Sequence, residues 1–169
     1  NADDVTTSTT LTQPVNVSQG NTNVEMGAFT FIGVDVAKTI TEIKVTEQGT
    51  LAANTHLSNL TLYAQEEAVC TRAGAVQIGT PQSFDVSQEA TFSGLSLSVG
   101  TTTQQCVFVE VDVSGGATAS STIELEITAA GDVTVTDGEA AGTFAVQIAG
   151  TTTVLSDSPP DQPTLQETP

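Results

Sequence analysis

Residues 104–113 read Gln-Gln-Cys-Val-Phe-Val-Glu-Val-Asp-Val, and their side chains alternate without a break. Val107, Val109, Val111 and Val113 fall on one face, with Cys106, Phe108, Glu110 and Asp112 on the other. Successive side chains of a β-strand point to opposite faces, so this period predicts a strand with one buried side. The same period recurs along the chain. It runs through 24–34, through 38–50 with Ile43 and Val45 in phase, and through 57–64 with Leu60 and Leu62. It returns in 90–99 with Leu95, Leu97 and Val99, and in 121–128 with Ile123, Leu125 and Ile127. Segments 82–86, 132–136, 143–149 and 151–156 complete a set of about ten strands. No window of a dozen residues carries a 3.6-residue period. An all-β fold follows: an antiparallel β-sandwich of jelly-roll or immunoglobulin-like type.

The chain has 169 residues, enough for one two-layer core with extensions. Its opening strand-like stretch, "VTTSTTLTQPVNV" at 5–17, places Val5, Thr7, Thr9 and Leu11 on one face and Thr6, Ser8, Thr10 and Thr12 on the other. Pro14 ends the ladder because it has no N–H to give. No turn signal follows within a hairpin's reach, so the stretch pairs with a distant strand of its own domain or with another molecule. Extended, residues 1–12 span about 40 Å at roughly 3.3 Å each, comparable with the width of a domain this size. The predicted organisation is an N-terminal arm (1–14), a sandwich (15–156) and an extended Pro-rich tail (157–169) with four prolines in its last eleven residues. Segment 65–80 is the least strand-like and is expected to be a long loop.

Charge narrows the partners. Three basic residues, Lys38, Lys44 and Arg72, stand against twenty acidic ones, for a net charge of −17. Three cations cannot build a phosphate-binding patch, so nucleic acid is excluded, and an anionic membrane surface fits as poorly. No apolar run reaches membrane-spanning length. The chain starts at Asn1 without a methionine, which leads to the expectation of a processed, secreted protein. Cys70 and Cys106 are then expected to form one disulfide, tying the 65–80 loop to the Val-rich strand. Asn16-Val17-Ser18 and Asn59-Leu60-Thr61 are acceptor triplets for N-linked sugar, with Asn16 and Asn59 as the candidate sites.

Catalytic chemistry has little to stand on. The single histidine, His56, lies in a predicted loop with no second histidine, and no Gly-x-Ser-x-Gly elbow is present. Glu110 with Asp112, and Glu124 with Glu126, are carboxylate pairs on predicted solvent faces. Were their strands adjacent, the four could attract Ca²⁺, as could Asp132, Asp137 and Glu139 near Gly-rich turns. None has the Asp-x-Asp-x-Asp-Gly spacing, so no cofactor is expected beyond a possible structural calcium. A sugar-binding module normally stacks its ligand on exposed aromatic rings; this chain has no Trp and one Tyr, Tyr63.

A self-assembling structural protein remains. An arm that leaves its own domain can complete the sheet of the next copy, with main-chain bonds giving affinity and alternate side chains giving specificity. Val5 and Leu11 are its expected anchors, at about 1.5–3 kcal/mol each. Ordering the arm costs about 1–2 kcal/mol per residue, so most of the driving force must come from covering the acceptor's exposed core. Such head-to-tail contacts do not close and build a filament. Lysines, which block such pairing at sheet edges, are also nearly absent from the strands.

With that Thr/Val arm followed by "GAFTFIGVDVAKTITEIKV" and "GLSLSVGTTTQQCVFVEVDVS", the chain resembles the prokaryotic extracellular filament proteins of the TasA and archaeal bundling-pilus group over residues 1–155. The resemblance implies a jelly-roll-like subunit whose first strand, through Val5, Thr7, Thr9 and Leu11, is donated to a neighbouring copy in a pilus-like homopolymer on the cell surface. The tail after Leu155 has no counterpart in that pattern. The competing expectation is a monomeric secreted adhesion or carbohydrate-binding module.

Overall fold

The computed structural model describes residues 4–157; the Pro-rich tail from 158 onward lies outside the described residues. Among the described residues, fourteen strands and one short α-helix follow in chain order. They are β1 (Val5–Thr10), β2 (Asn16–Ser18), β3 (Val24–Gly33), β4 (Lys38–Glu47), helix α1 (Ala53–His56), β5 (Leu57–Glu66), β6 (Val76–Gln82) and β7 (Glu89–Val99). Then come β8 (Gln105–Val113), β9 (Thr122–Ile123), β10 (Leu125–Ile127), β11 (Val133–Val135), β12 (Ala140–Ala141), β13 (Val146–Gln147) and β14 (Thr152–Leu155). The fold is all-β.

Six strands form one sheet in the order β12-β1-β3-β8-β5-β6, antiparallel except for the parallel β12–β1 pair. In a second sheet β4 pairs with β7 along one side and with β11 and β10 in succession along the other, and β13 continues from β10. A small third sheet joins β2, β14 and β9. The alternation of β8 explains the layering. Its four valines enter the main core with Phe29, Phe31, Leu60 and Leu62 of the same sheet and Ile40, Ile43, Phe92 and Leu125 of the second. Cys106 and Phe108 point the other way, into a separate apolar patch with Ala28 and Cys70, flanked by Tyr63 and Ala75. The central strand is therefore buried on both faces, because a loop covers its outer side.

That loop is shorter than the sequence suggests. β5 runs to Glu66 and β6 begins at Val76, so the connection is 67–75. As an edge strand β6 buries almost nothing, and without an apolar face it leaves no period to read. Conversely, 82–86 is not a strand beyond Gln82. Phe84 is buried from a loop, and Asp85 Oδ1 accepts the N–H groups of Ser87 and Glu89 to make a turn. His56 closes a one-turn helix instead of lying in a loop.

Cys70 and Cys106 are joined by a disulfide. Arg72 adds a second tie to the loop: its guanidinium lies 3.5 Å from the centre of the Tyr63 ring, and Nε donates to Glu110 Oε1 at 2.7 Å. Closing a loop across 36 positions is worth about 3–4 kcal/mol. Reduction is therefore expected to lower the unfolding free energy by that amount while strand content persists, as read by urea titration with circular dichroism. An unchanged midpoint would contradict it.

Candidate functional site

The candidate site is built around the first strand, which lies in the sheet of its own chain. β1 pairs antiparallel with β3 from Val5↔Gly33 to Thr10↔Ala28. The missing hairpin signal is consistent with this pairing, because β1 meets β3 only after the connection 11–23. Val5 is fully buried and Thr7 is 3% exposed, so these two face the core, while Thr6 and Ser8 face outward. On the other side β12 reaches only Val5 and Thr6. The chain then turns away through Gly142, whose φ of +140° and close approach suit only glycine: a Cβ there would lie 2.6 Å from Thr7 O. What is left alongside Thr7–Thr9 is a cleft of about 440 Å³, walled by Thr143 and Gln147. Thr9 Oγ1 donates across it to Gln147 O at 3.1 Å, whereas the buried hydroxyl of Thr7 has no protein partner.

Leu11 does not share the burial of Val5. It is 41% exposed and has a φ of +65°, a conformation that non-glycine residues seldom adopt. The strand pattern at 5–11 therefore breaks at its last position, and Leu11 is a turn residue, not an anchor. The anchor is Gln13, 2% exposed. Its Nε2 donates to Ile123 O at 2.8 Å and to Thr152 Oγ1 at 3.2 Å, and its Oε1 accepts the N–H of Leu125 at 2.9 Å. Its own N–H donates to Ala149 O at 2.8 Å. The order along the chain is a strand with two buried side chains, an exposed left-handed residue, and a buried amide clamp.

Segment 123–125 is held from another direction by Glu47, itself only 3% exposed. Oε1 of Glu47 accepts the N–H of Gly49 at 2.6 Å and that of Glu124 at 3.1 Å. Burial pushes the Glu47 carboxyl up to about 7; the charge of Glu124 adds to this, and the two N–H bonds oppose it. Gly49 is required by packing, since a Cβ would come within 2.6 Å of that same carboxylate oxygen.

The other sequence candidates scatter. Glu110 and Asp112 belong to the six-stranded sheet, Glu126 to the second, and Glu124 to the link between β9 and β10, so the four carboxylates do not converge. Glu126, expected on a solvent face, is buried in β10 between β4 and β13. Asp132 pairs with Lys44 at 2.9 Å, and Lys44 also holds Glu89 at 3.0 Å; these two hydrogen bonds raise the Lys44 pKa. Among the described residues, no group of three or more His, Cys, Asp or Glu could hold a metal ion, and no helix is long and apolar enough to cross a membrane.

Asn16 is exposed on β2. Asn59 is exposed but engaged, its Nδ2 donating to Asp112 Oδ2 at 2.7 Å and its carbonyl accepting the buried Thr61 hydroxyl at 2.8 Å. Neither Gln13 nor Glu47 stands out in the sequence. The only hints are an amide side chain directly ahead of Pro14, after a run of Thr and Ser, and a Glu in phase with Ile43 and Val45 on a buried face.

No family model and no curated protein matches the chain. Among solved structures, a family 123 glycoside hydrolase from Clostridium perfringens aligns over 90% of this chain at 9% identity with a TM-score of 0.45, and the chain spans only 27% of that enzyme. AvmM, which catalyses macrocyclization in alchivemycin A biosynthesis, aligns over 95% of this chain and 92% of its own length at 11% identity with a TM-score of 0.39.

Proposed function

We propose that the protein is a structural subunit of an extracellular filament, assembled head-to-tail by passing β1 into the sheet of the next copy. The observation that carries this reading is the way β1 is held. It fills an internal place in the six-stranded sheet with main-chain bonds and only two fully buried side chains, next to a turn at Leu11 that separates it from the Gln13 anchor. A strand exchanged between copies remakes the same bonds in its new site, so the cost lies in opening the turn and not in lost contacts. The fold completed in this way is a jelly-roll-like or immunoglobulin-like sandwich. The disulfide fits an oxidising compartment outside the cell. No catalytic role or cofactor is assigned.

A second reading, a monomeric adhesion or carbohydrate-binding module, is favoured by one observation: β1 is seated in its own chain. Electron microscopy of the protein purified from its source separates the two. Filaments of uniform width are expected; isolated particles at every concentration would leave the monomeric module.

In the same surface setting we propose an N-linked sugar on at least one of Asn16 and Asn59 if the source is archaeal or eukaryotic, with Asn16 favoured because the Asn59 amide and the Thr61 hydroxyl are already hydrogen-bonded. Peptide mass spectrometry on native material checks this; both asparagines unmodified would remove it, and a glycan on Asn59 with Asn16 bare would reverse the preference.

A further inference from the structure

We infer that Leu11 is a strained hinge on which β1 opens out of its own sheet, and that this strain tilts the first strand toward exchange with a second copy. Six non-glycine residues have a positive φ among the described residues. Asn23, Asn59 and Asp137 are of the types that tolerate it best, and Gln88 and Ser120 are polar. Leu11, at +65°, is the one apolar side chain in the set. Burial does not offset its cost: Val24, Ile78 and Phe144 pack on the core from the surface, and Leu11 is not with them. A left-handed backbone at leucine disfavours an arrangement by about tenfold against one in which the residue is extended.

Both sides of Leu11 are fixed, which confines the motion to it. Toward the N-terminus, β1 runs along β3 as far as Thr10↔Ala28. Toward the C-terminus, Thr12 bridges Ala149, and Gln13 is held at its side chain and at its N–H. Pro14 O accepts the Thr152 hydroxyl at 2.6 Å, and Val15 O accepts the Thr153 N–H at 2.9 Å. The ring of Pro14 also restricts the backbone of Gln13. The rotation that swings β1 away is the one about the Leu11 N–Cα bond. It moves everything before Leu11 and leaves the Leu11 carbonyl, Thr12 and Gln13 in place. A φ of about −120° then puts Leu11 in the extended region, free of strain. In the closed chain Ala28 and Ala149 hold the two ends in one body, and φ stays at +65°. The strain is specific to the closed chain. The tilt toward exchange rests on the strand-exchange reading; the opening of β1 at Leu11 does not.

Amide hydrogen exchange on the intact protein, diluted to monomers, reads the opening of β1. Native mass spectrometry at higher concentration reads the ratio of exchanged to closed chains. Leu11→Asn, whose side chain suits the left-handed region, should raise the protection of the β1 amides by about tenfold and lower the exchanged ratio by about tenfold. Leu11→Gly should move both in the same direction by less, because glycine also loosens the open arm. Leu11→Val, whose β-branch disfavours a positive φ further, should move both the opposite way by at least about threefold. Protection of β1 that is the same in the native, Leu11→Asn and Leu11→Val proteins overturns the hinge. An exchanged ratio that does not follow β1 protection overturns the tilt toward exchange. If Leu11→Val does not fold, Leu11→Asn decides. A native protein that stays monomeric at every concentration, with β1 protection still rising in Leu11→Asn, removes the proposed function and leaves the hinge standing.

Discussion

Replacing Gln13 with alanine is expected to cost about 3–5 kcal/mol of folding free energy, the largest effect of any single polar substitution in the protein. The side chain uses both amide N–H donors and its oxygen inside the fold, on Ile123 O, Thr152 Oγ1 and the Leu125 N–H. Truncation strands the Leu125 N–H and the Ile123 carbonyl without partners at a buried position, at about 1–3 kcal/mol each, and leaves a cavity besides. Gln13→Glu keeps the accepting oxygen but turns the donor into a second acceptor facing a carbonyl, so it should be nearly as damaging at neutral pH. Urea unfolding of both variants checks this. A loss under about 1 kcal/mol for Gln13→Ala would show that water replaces the amide without penalty.

Excising residues 4–11 is expected to do more, and to leave the protein unable to fold alone. The deletion removes a whole strand from within the six-stranded sheet, uncovers the edge of β3, and opens the core beside Phe29 and Phe31. Burial of Val5 alone is worth about 1.5–3 kcal/mol, and six residues of ladder go with it, against a total stability of about 5–15 kcal/mol for a domain. A synthetic peptide of residues 1–14 added in trans should restore the β-sheet circular dichroism signal, because the vacant position retains its shape-determining neighbours on β3. It should also cap the subunit and block filament growth. A truncated protein with native spectrum and native unfolding midpoint would show that β1 is dispensable.

The framework was legible in the sequence where a strand buries one continuous face. The valines of β8, Leu60 and Leu62 of β5, and Ile123, Leu125 and Ile127 all sit in the core as their period requires. Legibility failed where tertiary context overrides the pattern. β6 is an edge that buries little, so nothing marked it as a strand. Segment 121–128, a single run by its period, is split at Glu124 into β9 and β10, and that break is where Glu47 and Gln13 take hold. The hinge region shows the same limit. Leu11 is in phase with Val5, Thr7 and Thr9, yet it turns out to the surface because the chain must swing toward the small third sheet. Buried polar clamps carry no periodic signature, since their value lies in partners more than a hundred residues away.

Strand exchange between copies is tested most directly by a cysteine pair across the β1–β3 ladder. Thr6 and Ile32 are direct partners in that register, on the side away from the buried Val5 and Thr7. Their Cα atoms are about 4.5–5.5 Å apart in any antiparallel pair, within disulfide range. In filaments of the Thr6→Cys, Ile32→Cys protein, oxidation should link each subunit to the next and give a ladder of covalent oligomers on a non-reducing denaturing gel. The ladder should collapse to a single band on reduction. Filaments that oxidise fully yet run only as covalently closed monomers would place β1 in its own chain and contradict the exchange.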